Sequence, residues 1–131
     1  MFPIRMTKHS AGYDIATPID VEINPRDKVV IATDIKAYMQ EDEALFIYLR
    51  SSMGIKKSLR LSNGVGIVDM DYYNNVDNEG NIHIAITNDS DETIIIEKGE
   101  RIAQGVFKKF LISDNCNSDN ERIGGIGSSN K

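Results

Sequence analysis

The chain has 131 residues, enough for one domain and too few for two full cores. Lys and Arg number 15 against 20 Asp and Glu, so the formal net charge of -5 excludes a domain that grips a long nucleic-acid backbone by bulk charge. With 40% hydrophobic and 27% charged residues, the composition is that of an ordinary folded domain.

Turn-forming residues recur at short intervals and leave only short segments between them. After the turns at Ser10-Ala11-Gly12 and Asn24-Pro25-Arg26-Asp27, residues 29–32 and then 45–48 read as strands. Asn63-Gly64 enters a predicted hairpin, and Asn74-Asn75 and Asp77-Asn78-Glu79-Gly80 mark the next turns. Residues 82–86 alternate: Ile82, Ile84 and Ile86 share one face, while His83, Ala85 and Thr87 share the other, as in a half-buried strand. Beyond Asn88-Asp89-Ser90-Asp91, residues 93–96 form another predicted strand, and after Lys98-Gly99 a last one covers 102–112. No long 3.6-period segment competes, so the expected fold is an all-β sandwich, jelly roll or barrel. Residues 113–121 have almost nothing to bury and 124–131 are glycine-rich. The expected division is a β domain over 1–112 and a flexible C-terminal arm over 113–131.

The longest apolar run, residues 44–49, is far short of the ~20 residues a spanning helix needs, so no membrane segment is expected. Residues 1–9 lack the apolar stretch and cleavage site of a secretory leader, and a cytoplasmic location is the expectation. Cys116 is the only cysteine, and with His9 and His83 alone the usual Cys/His zinc site cannot be assembled. A metal here is expected to be a hard ion held through oxygen.

Four segments carry residues suited to chemistry. Arg50-Ser51-Ser52-Met53-Gly54 sets a guanidinium, hydroxyls and a glycine after an apolar strand, where a turn can collect donors around an anion; taken alone, a surface turn reads the same way. Strand alternation after Asn63-Gly64 puts Asp69 and Asp71 on one face, and either carboxylate could deprotonate a water, although a solvated strand edge has the same pattern. Residues 98–104 read as a turn into a strand. Arg122 followed by Gly124-Gly125-Ile126-Gly127-Ser128-Ser129 offers backbone N–H groups and hydroxyls to a phosphate, but lacks the Gly-Lys-Ser/Thr ending of a P-loop.

Together with Ala11-Gly12-Tyr13-Asp14-Ile15, and in this order, these segments resemble the five motifs of the trimeric deoxyuridine triphosphatase (dUTPase) family: residues 11–15, 50–54, 63–72, 99–104 and 122–129. The resemblance spans nearly the whole chain. It implies a jelly-roll-like β-barrel that assembles as a homotrimer with exchanged C-terminal arms, each site being built from several subunits. It also implies Mg-dependent hydrolysis of dUTP to dUMP and pyrophosphate, with no membrane or nucleic-acid partner. Asp69 would activate the water that attacks the α-phosphorus. Tyr72 would pack on the deoxyribose and leave no room for a 2′-OH. Asn63 and the backbone near Gly66 would read the uracil edge, with Ile126 covering the base. Arg50, Ser51, Ser52, Gly54, Gln104, Arg122, Gly127, Ser128 and Ser129 would hold the phosphates. Asp14 would hold waters around Mg²⁺, and Arg101 would be structural.

This chain departs from the family pattern at three places. The third motif ordinarily continues Asp-Tyr-x-Gly, whereas Tyr72 is followed by Tyr73-Asn74-Asn75 and extra residues through Gly80, as in a subgroup from Gram-positive bacteria and their phages. The fifth motif ordinarily has Phe where Ile126 stands, and a single residue, Ile123, separates Arg122 from Gly124. Two other readings are a dCTP deaminase of the same fold and a non-catalytic partner-binding β-domain. The first needs a glutamate on the strand after the third motif, where residues 82–87 have none. The second has no use for Asp69 as a base.

Overall fold

β-branched runs between turn residues fold into nine strands among the described residues: β1 Tyr13–Ala16, β2 Val21–Ile23, β3 Lys28–Ala32, β4 Glu43–Leu49, β5 Leu59–Leu61, β6 Gly66–Val68, β7 His83–Asn88, β8 Ile94–Ile96 and β9 Arg101–Lys109. The computed structural model describes residues 1–116, 122 and 124–126. Gly127, Ser128, Ser129 and much of the segment expected to form the arm lie outside the described residues. The all-β expectation agrees with this architecture; the only helical pieces described are a single wide turn, Ser52–Lys56, and a 3-10 turn, Met70–Tyr72.

Every pairing is antiparallel. The largest sheet runs β1-β9-β4-β6, a second is β3-β7-β5, and β2 pairs with β8. β9 organises the first sheet: its Gln104 lies opposite Asp14 of β1 on one side and Tyr48 of β4 on the other. β7 does the same in the second sheet, with Ile84 opposite Ile31 and Ile86 opposite both Val29 and Leu61. The inward faces meet in one core in which Ile23, Ile31, Ile84, Ile86, Ile96 and Ile102 are almost fully buried. Each such side chain contributes about 1.5–3 kcal/mol by leaving water.

Asn88 shows how the turns are tied to that core. It is fully buried at the end of β7, and its amide donates to the carbonyls of Ile23 (2.9 Å) and Glu92 (2.8 Å) while its oxygen accepts from the Ser90 backbone N–H at 2.9 Å. Truncation there would strand several buried groups, each costing about 1–3 kcal/mol. At the far rim, the hydrogen bond from Lys109 (3.0 Å) holds Asp42 below the usual carboxylate range, and Asp42 in turn raises Lys109.

Four sequence expectations need correction. Asn63-Gly64 does not make a hairpin, because β5 pairs with β7 and β6 with β4; the turn hands the chain from one sheet to the other. Asp69 and Asp71 do not share a strand face, since β6 ends at Val68 and the chain turns into a 3-10 helix. Residues 51–57 wind into a helical turn, with the Met53 and Gly54 N–H groups both donating to the Arg50 carbonyl. The last strand stops at Lys109, leaving Leu111 and Ile112 exposed. Alternation over three residues, as in Val21-Glu22-Ile23 and Leu59-Arg60-Leu61, was too brief to mark β2 and β5.

Candidate active site

The exit of β6 builds one side of the site. Asp69 is extended (φ -77°, ψ 159°) and begins the Met70–Tyr72 turn, in which the Tyr72 N–H donates to the Asp69 carbonyl at 3.1 Å. This turn throws the Tyr72 ring inward, where it is 8% exposed, and leaves the Asp69 carboxylate outside. Between them opens a cavity of about 400 Å³, whose lining includes Asn63, Gly66, Asp69, Tyr72, Arg122 and Ile126. Gly66 is glycine for a reason within the fold: a Cβ there would lie 3.1 Å from Ile47 Cβ across the β4-β6 pair.

Arg122 closes the cavity's mouth. Its Nε donates to Asp71 at 2.9 Å and a terminal nitrogen donates to Asp69 at 3.0 Å. The other terminal nitrogen reaches the Gly125 carbonyl at 3.2 Å, and the guanidinium carbon lies 5.6 Å from the Tyr72 ring centroid. A guanidinium with only 10% of its side chain exposed needs such partners, because an unpaired buried charge costs several kcal/mol. The two aspartates thus converge on one cation through the 3-10 turn, not through strand alternation.

The residues that sequence reasoning passed over lie in the extension after Tyr72. Asn75 is buried and folds the loop by donating to the Tyr72 carbonyl (2.7 Å) and to Asn78 Oδ1 (2.8 Å), while accepting from the Asp77 and Asn78 N–H groups. Gly80 has a left-handed φ of 88°, and a Cβ there would meet the Asn74 nitrogen at 2.8 Å, so the loop requires glycine. The loop also touches the arm: the Gly125 N–H donates to the Asp77 carboxylate at 3.3 Å. A run of Asn, Asp and Gly signals turns, but nothing in it says which side chain the turn will embrace. His83, read as an ordinary strand residue, lines the cavity and holds its Nδ1 2.8 Å from the Asn81 carbonyl.

The other predicted residues gather elsewhere. Asp14, only 13% exposed in its side chain, faces Arg101 at 3.5 Å and Arg50 at 3.8 Å. Gln104 is opposite Asp14 on the neighbouring strand, and Ser51, Ser52 and Gly54 lie in the helical turn after Arg50. Val68 pairs with Leu45 near the start of β4, whereas Arg50 follows its end. Along one chain, Arg50 and Asp69 are therefore separated by about 20 Å at roughly 3.3 Å per strand residue. Among the described residues, no three His, Cys, Asp or Glu side chains cluster to hold a metal.

A family model described as dUTPase matches residues 1–130. The chain belongs to the dUTPase family. It is 50% identical over 128 residues to the deoxyuridine 5'-triphosphate nucleotidohydrolase of Lactococcus lactis subsp. lactis, covering 96% of this chain and 85% of that one. It is similar to the crystal structure of dUTPase from Streptococcus mutans, with a TM-score of 0.83, 46% identity and coverage of 87% and 89% of the two chains. It also resembles a variant of a Staphylococcus bacteriophage 80alpha dUTPase solved with dUpNHpp, at a TM-score of 0.74 and 26% identity over 92% of this chain and 90% of that one. The jelly-roll-like β fold expected from the five motifs agrees with these dUTPase structures. Within the family frame, β7 spans His83–Asn88 without a glutamate, which leaves the deaminase reading without its acid-base residue.

Proposed function

We propose that the protein hydrolyses dUTP to dUMP and pyrophosphate, with Asp69 accepting the proton of the water that attacks the α-phosphorus. The observation that carries this reading is the convergence of Asp69, Tyr72 and Arg122 on one cavity of about 400 Å³, a size suited to a nucleoside. Asn63 and the backbone beside Gly66 take the uracil edge, the Tyr72 ring supports the deoxyribose, and Ile126 covers the base. Arg50, Ser51, Ser52, Gly54, Gln104 and Arg122, with Gly127, Ser128 and Ser129, take the phosphates. Breaking the bond to the pyrophosphate leaving group needs position and charge stabilisation more than covalent help from the protein. A panel of dUTP, UTP, dCTP and dTTP tests this reading. Strong preference for dUTP in pyrophosphate release is expected; ammonia release from dCTP would restore the deaminase, and inactivity on all four would favour a binding domain.

One carboxylate between two guanidiniums does not make a protein-ligated metal site. It suits an ion that comes with the triphosphate and meets Asp14 through water, as Mg²⁺ does with its reluctant dehydration. When bound, Mg²⁺ neutralises phosphate charge. EDTA is accordingly expected to abolish turnover of dUTP while leaving the melting temperature unchanged, with Mg²⁺ restoring the rate. A large fall in melting temperature would instead indicate an ion built into the fold.

The reading includes a homotrimer in the cytoplasm, where the nucleotide pool is found. Its support is the separation of Arg50 from Asp69: a triphosphate of nucleotide size cannot use both within one chain, but a neighbouring subunit can bring its Arg50 to this cavity. Exposed apolar residues, Phe2 at 91% and Phe107 at 45% among them, offer surface for that assembly. If a neighbour's arm completes each site, mixing Asp69→Asn protein with protein lacking residues 122–131 is expected to generate activity that neither has alone. Inactivity after mixed trimers have formed would assign each arm to its own subunit, as Arg122 lies in the single chain.

A further inference from the structure

The structure assigns to Asn78 a specificity function: we infer that it is a positioning residue that fixes the Tyr72 ring and thereby sets discrimination between deoxyribose and ribose. The inference rests on the nucleotide reading above and goes beyond it, because Asn78 belongs to the extension after the third motif, to which that reading gives no task. Tyr72 Oη donates to the Asn81 carbonyl at 2.7 Å and accepts from Asn78 Nδ2 at 2.9 Å. With one donated and one accepted bond, the hydroxyl is held from two directions. The same Asn78 side chain is itself held, since its Oδ1 accepts from Asn75 Nδ2 at 2.8 Å and from the Gly80 N–H at 3.0 Å. The amide therefore cannot turn over without breaking three bonds at once.

Rejecting a ribose by packing means rejecting one extra oxygen, and a wall that yields by a few tenths of an ångström will admit it. A ring anchored only at its backbone end can tilt; one anchored at the hydroxyl as well cannot. The Asn81 carbonyl holds the hydroxyl from one direction, and Asn78 supplies the hold from the other, beside the arm. A Cβ built on Gly125 would lie 2.9 Å from Asn78 Nδ2, and the Gly125 N–H is bonded to neighbouring Asp77. The loop thus braces Tyr72 and seats the arm's glycine from one side chain pair, so the sugar wall and the arm are set by the same element.

The test is the ratio of kcat/KM for dUTP to that for UTP, measured on the same preparation so that any unfolded fraction cancels. Asn78→Ala is expected to lower this ratio about tenfold, within the range that small steric differences support, mainly through faster turnover of UTP. Asn78→Asp should not rescue it, because a carboxylate cannot donate to the Tyr72 hydroxyl. Tyr72→Phe removes this bond together with the one to the Asn81 carbonyl and should lower the ratio at least as far, and the double variant Asn78→Ala/Tyr72→Phe should fall no further than Tyr72→Phe alone. If Asn78→Ala does not fold, Asn78→Asp carries the test, since it keeps the bond from the Tyr72 hydroxyl to the Asn81 carbonyl and loses the donor at residue 78. A selective parent whose ratio is unmoved by these changes, or whose two changes simply add, overturns the proposal. A parent that does not release pyrophosphate from dUTP overturns the reading of the reaction, and the proposal with it.

Discussion

Asp69→Asn is expected to lower kcat for dUTP about a thousandfold, the middle of the range for losing a general base, while binding of a non-hydrolysable analogue is retained. The amide is nearly isosteric with the carboxylate, and its oxygen can still accept the hydrogen bond that Arg122 now makes to Asp69 at 3.0 Å. What it cannot do is take a proton from water. Because the Asp69 side chain is 56% exposed at the mouth of the cavity, its pairing is worth little to the fold, and the melting temperature should barely move. Asp71→Asn is the internal control. Asp71 meets the same guanidinium at 2.9 Å but, unlike Asp69, does not line the cavity, so its loss should be mild. If Asp69→Asn works at near the parental rate and Asp71→Asn does not, the base is Asp71.

The second large effect is expected at Arg122. Arg122→Ala should reduce kcat/KM by roughly 100- to 1000-fold, the scale associated with removing one preorganised donor to developing charge. Its forked donors rest on Asp69 and Asp71, with the Gly125 carbonyl and the Tyr72 face completing the shell. A triphosphate offers stronger acceptors to the same fork. On the proposed function, an Arg122 that moves onto phosphate would release Asp69, so that one exchange would both bind substrate and free the carboxylate for the water. Arg122→Lys should recover little, since an ammonium cannot span two acceptors with a fixed planar geometry. Steady-state kinetics of the two variants measure this. Full activity in Arg122→Ala would leave the arm without a catalytic task.

The strands that were legible in the sequence are those long enough to show their period. β7 is the clearest: Ile84 and Ile86 are buried, as the alternation required, because both faces of a six-residue strand are sampled three times. β2 and β5 are three residues each, too short for a period to stand out from chance. The two aspartates illustrate a different failure. They are two apart in sequence, yet β6 ends at Val68, three residues short of Asp71, and they converge because the following 3-10 turn aims both at Arg122. At Gly66 the tight neighbour is one that only the sheet pairing reveals, Ile47 across β4.

Local pattern by itself determined an all-β fold of short strands and, through five ordered motifs, the family. These properties depend on residue type and order, which a sequence states directly. Only the tertiary structure decided which motifs share a space. Asn63, Gly66, Asp69, Tyr72 and Arg122 close on one cavity, whereas Asp14, Arg50 and Gln104 gather at the other end of β4. Only it, too, turned an Asn-rich extension into the brace of a tyrosine hydroxyl. The physical reasons differ: strand pairing brings the motifs together from tens of positions apart, whereas the brace closes over six residues through a loop held by its own side-chain bonds, and neither kind of contact leaves a local signature in the chain.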